Sequence, residues 1–255
     1  MLLIGHLFGD FYLQSSAMAR RKDAEAAAMC RHGLVYFFAI LAAVLPFMLI
    51  YDAMLSFWAL FLLVPASHFA IDFAKNRWPG WKAIFNKNDK YVFVVDQVAH
   101  VVIIVIVALY YATKAPVAYI AYSVYVQNLF ILMNLGVPLH KIIQMACLFL
   151  FLGKPTAMFM QILLKNDDEG DAGDSIILKK EQKAGGLIGI FERYLAVILV
   201  ITQQYSALAF IVTAKSIARF NKISDEPEFA ERYLLGTLGS VLFAVAGAVM
   251  YLQLP

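Results

Sequence analysis

The chain has 255 residues, 62% of them hydrophobic and only 15% charged, with a mean hydropathy of +0.72 and a formal net charge of +3. Soluble domains average roughly half apolar and a quarter charged, so this composition excludes an ordinary soluble globular protein and predicts an integral membrane protein. The small positive charge sits between apolar runs, which argues against a nucleic-acid partner and for a basic rim beside anionic lipid.

Eight apolar segments are predicted, at about residues 2–18, 33–50, 54–73, 91–111, 116–133, 140–164, 186–214 and 233–253. A helix needs roughly 20 residues to cross a hydrocarbon layer of about 30 Å. Helices rather than strands are expected, because the runs lack the alternation that a closed barrel requires. The fold class is therefore all-α, a polytopic helix bundle of about eight transmembrane segments. The opening MLLIGHLFGD lacks a basic leader and a small-residue cleavage site, so it reads as a retained first helix. This first segment is short and is expected to be tilted or re-entrant. Gly153, Lys154 and Pro155 fall inside the sixth segment and should kink or break it.

Basic residues cluster after the first segment (Arg20, Arg21, Lys22, Arg31), after the third (Lys75, Arg77, Lys82, Lys87, Lys90) and after the seventh (Lys215, Arg219, Lys222, Arg232). By the positive-inside rule these loops are cytoplasmic and both termini lie outside. Residues 165–185, with four lysines, fit that topology poorly; a re-entrant sixth segment would move them to the other side. Two units are anticipated: residues 1–112, a four-helix unit, and residues 113–255, the remaining helices. Cys30 and Cys147 offer neither a disulfide framework nor a metal knuckle.

Four of the five histidines fall in or against the first four segments, and three of them are paired. His6 and Asp10 are four apart, His68 and Asp72 repeat the spacing in HFAID, and Asp96 and His100 repeat it reversed in DQVAH. Residues four apart share one helix face. Each pair lies near the end of its segment that borders a cytoplasmic loop, and His32 opens the second segment at the same level. Four helices can thus bring three His/carboxylate pairs and one extra histidine to a single layer.

Charged groups in a membrane span cost about 2.5 to 3.5 kcal/mol on insertion scales, and they usually pair or serve a function. A divalent cation offsets several carboxylates at once. Imidazole and carboxylate without thiolate suit zinc first, with iron or manganese as alternatives. Seven potential ligands exceed one four-coordinate ion, so one or two ions are expected. His6, Asp10, His68, Asp72, Asp96 and His100 are the expected ligands, with His32 as catalytic base or further ligand. The competing reading is three local His–Asp hydrogen bonds that glue helices together. Axial haem ligation would not need an aspartate beside each histidine.

The stretches HLFGDFYLQ, HFAIDFAK and DQVAH, with His32 and the basic residues up to Lys22, resemble a bacterial integral membrane family, domain of unknown function 3307, which has no established activity. GGLIGIFERYL and AKSIARF resemble its longer members. The HxxxD pairs are also similar to those of membrane-bound metal-dependent hydrolases. These resemblances imply a multi-pass protein of the bacterial inner membrane and, by analogy of pattern, hydrolysis.

Lys75, Lys215 and Arg219 lie at cytoplasmic segment ends and are expected to steady an anionic headgroup, unless they only snorkel and set topology. Glu192 and Arg193, inside the seventh segment, are expected far from Lys215, at upward of about 30 Å of helix, with Lys154 as a candidate ion-pair partner. Gly185, Gly186, Gly189, Gly236, Gly239 and Ser240 read as packing faces. Gln14 and Gln97 read as helix-to-helix hydrogen-bonding amides. No nucleophile elbow, phosphate loop or dinucleotide fingerprint is present. The leading expectation is a metal-dependent hydrolase of a lipid-like or phosphorylated membrane substrate. The alternatives are a divalent-cation or proton-coupled transporter and a non-catalytic, metal-stabilised subunit of a larger membrane complex.

Overall fold

A computed structural model describes residues 1–22, 25–50, 55–77, 89–114, 138–164 and 176–254. All regular structure among the described residues is helical. Two compact units divide the chain, Met1–Cys147 and Leu148–Pro255. Four helices are long and apolar enough to cross a membrane: Ala26–Leu45, Lys90–Tyr110, His140–Leu164 and Pro227–Gln253. The eight apolar segments therefore do not each yield one span among the described residues, and the segment at 116–133 lies outside them.

The first unit holds α1 (Leu2–Leu7), a π-helical turn (Phe8–Tyr12), α2 (Ser16–Lys22), α3 (Ala26–Ile50), α4 (Leu55–Arg77) and α5 (Asp89–Lys114). The run expected at 2–18 is interrupted at residues 13–15, and at 1.5 Å per residue its helical part rises only about 16 Å, half of a crossing. α1 packs on α3 through glycine. A Cβ on Gly5 would lie 3.0 Å from the Ile40 Cα, and one on Gly9 would lie 2.8 Å from the Tyr36 ring.

Spacings of three and four place one inward stripe on each long helix. Tyr36 and Ile40 of α3, Phe61 and Val64 of α4, and Ile104 and Val107 of α5 form a buried apolar layer. One turn along the same stripes come His32, His68 and His100. The polar residues of this unit are thus continuous with its core, and the same packing that buries the aliphatic layer fixes the imidazoles above it.

Gly5→Val should force α1 away from the α3 backbone, which has no side-chain freedom to yield. Overpacking of this kind costs about 1 to 3 kcal/mol, measurable as a lower unfolding temperature in detergent.

The second unit contains the end of α6 (Leu139–Leu152), α7 (Lys154–Leu164), α8 (Ile176–Ile201), α9 (Tyr205–Ala218), α10 (Phe220–Asp225) and α11 (Pro227–Gln253). Its core joins Leu148 and Leu152 to Ala196, Val197, Val200, Ala244 and Ala248. The sixth segment breaks at Gly153 as its glycine and proline predict. Arg193 of α8 caps the break: its Nε donates to the Leu152 carbonyl at 2.6 Å and its Nη2 to the Gly153 carbonyl at 3.3 Å. The Gly153 carbonyl also accepts from the Ala157 N–H at 3.1 Å, and a cation at these carbonyls opposes the dipole of α6. Arg193→Leu should lower the stability of this unit by about 3 kcal/mol, from the loss of charged hydrogen bonds worth about 1.5 to 3 each, and chemical denaturation would read it.

The seventh segment is not one helix. It turns at residues 202–204, where Gln203 adopts φ 60°, so that α9 folds back beside α8. Glu192 and Lys215 are about equidistant from that turn and meet at the same level, where the Lys215 Nζ donates to a Glu192 carboxylate oxygen at 2.5 Å. The expected separation of more than 30 Å is thereby overturned, and Lys215 is an ion-pair partner of Glu192. The glycines of α11 do serve close packing: a Cβ on Gly236 would meet Leu164 at 3.2 Å and one on Gly239 would meet Met160 at 2.8 Å. Gly185 differs, since a Cβ there would touch nothing within 4 Å.

Candidate metal centre

His6, Asp10, His32, His68, Asp72, Asp96 and His100, which the sequence places on four helical segments, do converge in the first unit. Each histidine, Asp72 and Asp96 is at most 4% exposed. Three overlapping sets offer ligand atoms within 4.8 Å of one another: His6, Asp10 and His68; His32, His68 and Asp72; Asp72, Asp96 and His100.

The tightest part is built from four atoms. His32 Nε2 and His68 Nε2 lie 3.1 Å apart. Asp10 Oδ1 is 3.2 Å from the first and 3.3 Å from the second; Asp72 Oδ2 is 3.3 Å and 3.6 Å from them. Ligands held at 2.0 to 2.1 Å around a tetrahedral ion are about 3.3 to 3.4 Å from each other. The five separations, 3.1 to 3.6 Å, bracket that spacing.

Local structure explains why the atoms meet. Asp10 lies in the π-helical turn, a distortion that recurs at functional sites because it re-aims side chains relative to a regular helix. His68 is clamped by Tyr36, whose ring stacks on it with centroids 3.6 Å apart and planes 5° from parallel. The Tyr36 hydroxyl in turn lies 3.1 Å from His6 Nδ1. His100 extends the cluster, its ring centroid 4.2 Å from that of His68 and 5.6 Å from that of His6.

Two lysines complete the charge pattern. Lys22 Nζ donates to Asp72 Oδ2 at 2.9 Å, and Lys75 Nζ bridges Asp72 Oδ1 at 3.0 Å and Asp96 Oδ1 at 2.9 Å. The Gln97 amide donates to Asp10 and Asp96, each at 3.2 Å, the first of these joining α5 to the π-helical turn. With neutral imidazoles, three carboxylates against two ammonium groups leave one uncompensated negative charge among the described residues. A buried net charge is costly unless a counter-ion is present. Buried polar groups are ordinarily hydrogen-bonded, yet among the described residues neither ring nitrogen of His100, nor Nε2 of His6, has a hydrogen-bond partner. Carboxylate oxygens and imidazole nitrogens at these distances are donors that could hold a divalent cation.

Sequence reasoning gave Lys75 a headgroup role, but here it is committed to two carboxylates. It missed Lys22, whose only visible signal was membership of a basic loop. Tyr36 was also missed, though its place one turn after His32 marks the same face. Lys215 and Arg219 belong to the second unit and take no part in the cluster as described.

A family model for proteins of unknown function, DUF3307, matches residues 1–131. The chain belongs to this family. The matched region contains all seven histidines and aspartates of the cluster, together with Lys22, Lys75 and Gln97. Comparison with curated proteins finds no match, and comparison with solved structures finds none.

Proposed function

We propose that this DUF3307 protein is a membrane metalloenzyme, a hydrolase of a lipid-like or phosphorylated membrane substrate, with zinc as the first-choice metal and iron or manganese as alternatives. The observation that carries the metal is the spacing of His32 Nε2, His68 Nε2, Asp10 Oδ1 and Asp72 Oδ2, five of whose separations fall between 3.1 and 3.6 Å. His32 is read as a ligand because its Nε2 lies among these atoms. Four protein ligands close a tetrahedron, whereas catalytic zinc keeps a position open. A second ion would be held by Asp72, Asp96 and His100, whose ligand atoms lie within 4.8 Å of one another, with the unpartnered Nε2 of His6 as a further donor, and it would supply the open position. Such a pair would lower the pKa of a bound water and polarise the scissile group. Lys75 holds the outer oxygen of Asp72 and one oxygen of Asp96, and Gln97 holds the outer oxygen of Asp10, as carboxylate ligands in metal sites are commonly held, whereas Lys22 donates to Asp72 Oδ2 itself, the oxygen a bound ion would share with it. A bacterial inner-membrane location follows from the family resemblance, and Lys215 and Arg219 are read as binding lipid from the second unit.

One observation favours a second reading. The same four atoms suit an ion that only pins the π-helical turn, α3 and α4 together, as in a non-catalytic subunit.

Incubation of the metal-loaded protein with membrane lipid extracts separates these readings. Release of phosphate or fatty acid, lost in Asp96→Asn, supports the enzyme. Bound metal with no release supports the structural pin, and metal accumulation in proteoliposomes would point instead to transport.

A further inference from the structure

The second unit contains an open cavity of about 800 Å³ that the metal chemistry leaves unused. It lies where α7 and α9 end and α11 begins, with α8 as a further wall. Arg193, Lys215, Arg219 and Arg232 line it, with Gln161 and Tyr233 between them; no carboxylate lines it among the described residues. Lys215 is paired with Glu192 at the wall, and the Arg232 Nε donates to the Glu228 carbonyl at 3.4 Å. Aromatic rings hold the cations at the rim: Tyr233 has Lys215 at 5.6 Å and Arg219 at 5.9 Å from its centroid.

The rest of the wall is apolar, including Ala157, Met160, Leu164 and Ile188. Gly185 and Gly186 leave space where side chains would stand. Around the cavity, α8 and α11 expose Leu187, Phe191, Leu234 and Leu235, the kind of surface that meets acyl chains. Clustered cations and aromatic residues at the ends of apolar helices lie at headgroup depth. A ligand that suits this place carries a phosphate joined to an aliphatic tail.

We infer that this cavity is a binding site for an anionic phospholipid, with the phosphate among Lys215, Arg219 and Arg232 and the acyl chains along the α8 and α11 faces. Arg193 closes the cavity floor while capping α6. This inference rests on, and deepens, the reading of Lys215 and Arg219 as lipid-binding residues, and it needs no metal.

The test is native mass spectrometry of the full chain released from phosphatidylcholine nanodiscs doped with phosphatidylglycerol. Phosphatidylglycerol should be retained in clear preference to phosphatidylcholine. The double variant Arg219→Gln, Arg232→Gln should weaken that retention by roughly thirty-fold, from about 1 kcal/mol per cation, while Arg77→Gln at the end of α4 leaves it unchanged. Equal retention of the two lipids overturns the inference, as does an unaffected double variant. Displacement of the lipid by an equal concentration of glycerol phosphate overturns the lipid assignment in favour of a soluble phosphate ester. Metal content should be the same in wild type and double variant, so either reading can fail without the other.

Discussion

His68→Ala is expected to strip the metal from the protein. The His68 Nε2 lies within 3.6 Å of His32 Nε2, Asp10 Oδ1 and Asp72 Oδ2, so its loss leaves three of the four candidate ligands and a void. Four-ligand zinc sites contribute about 10 to 16 kcal/mol in small domains, and a quarter of that is about 3 to 4 kcal/mol. Affinity should then fall several-hundred-fold, at about 1.4 kcal/mol per decade, and dialysis against a weak chelator would leave less than about a tenth of the wild-type metal. Alanine also removes the partner of the Tyr36 ring, so the unfolding temperature must be recorded beside the metal content. Asp96→Asn serves as the second arm, because Asp96 supplies none of the four atoms around His32 Nε2 and His68 Nε2. Under the two-ion account it loses one equivalent and His68→Ala loses both. Equal metal content in wild type and His68→Ala, in folded protein, would contradict the assignment.

Lys75→Met should be the most destabilising single change outside the imidazoles. Its ammonium is the shared partner of Asp72 and Asp96, and methionine keeps the stem while leaving two buried carboxylates short of a cation. Breaking a buried pair from one side costs about 3 to 5 kcal/mol. Two features separate this from ordinary loss of packing. Asp96→Asn added to Lys75→Met should recover part of the loss, a coupling that a double-mutant cycle measures. Saturating zinc should also shrink the loss, since a bound ion supplies positive charge and stabilises the folded state by mass action. A Lys75→Met protein as stable as wild type, with or without metal, would show that these carboxylates do not depend on their lysines.

The polar layer was legible because helical periodicity converts a four-residue spacing into a shared face, and because histidine and aspartate are rare enough in apolar segments to stand out. His68 with Asp72, and Asp96 with His100, needed nothing more. Lys22 was not legible: it reaches Asp72 from fifty positions away, after a break between the π-helical turn and α2, and no local pattern encodes that approach. The break at Gly153 was visible in its glycine and proline. The turn at residues 202–204 carries neither. Its only trace is the polar trio Thr202, Gln203 and Gln204 in an otherwise apolar run, and overlooking it placed Glu192 and Lys215 at opposite ends of one helix. Hydropathy measures apolar length and not chain direction.

The most direct measurement is elemental analysis, by inductively coupled plasma mass spectrometry, of the full wild-type chain purified in detergent without chelators. The account predicts one or two equivalents of zinc, iron or manganese per chain, bound tightly enough to survive gel filtration. Folded protein carrying less than about a tenth of an equivalent, and taking up none when each metal is supplied, would contradict it. The seven histidines and aspartates would then be a buried ion-pair network and nothing more.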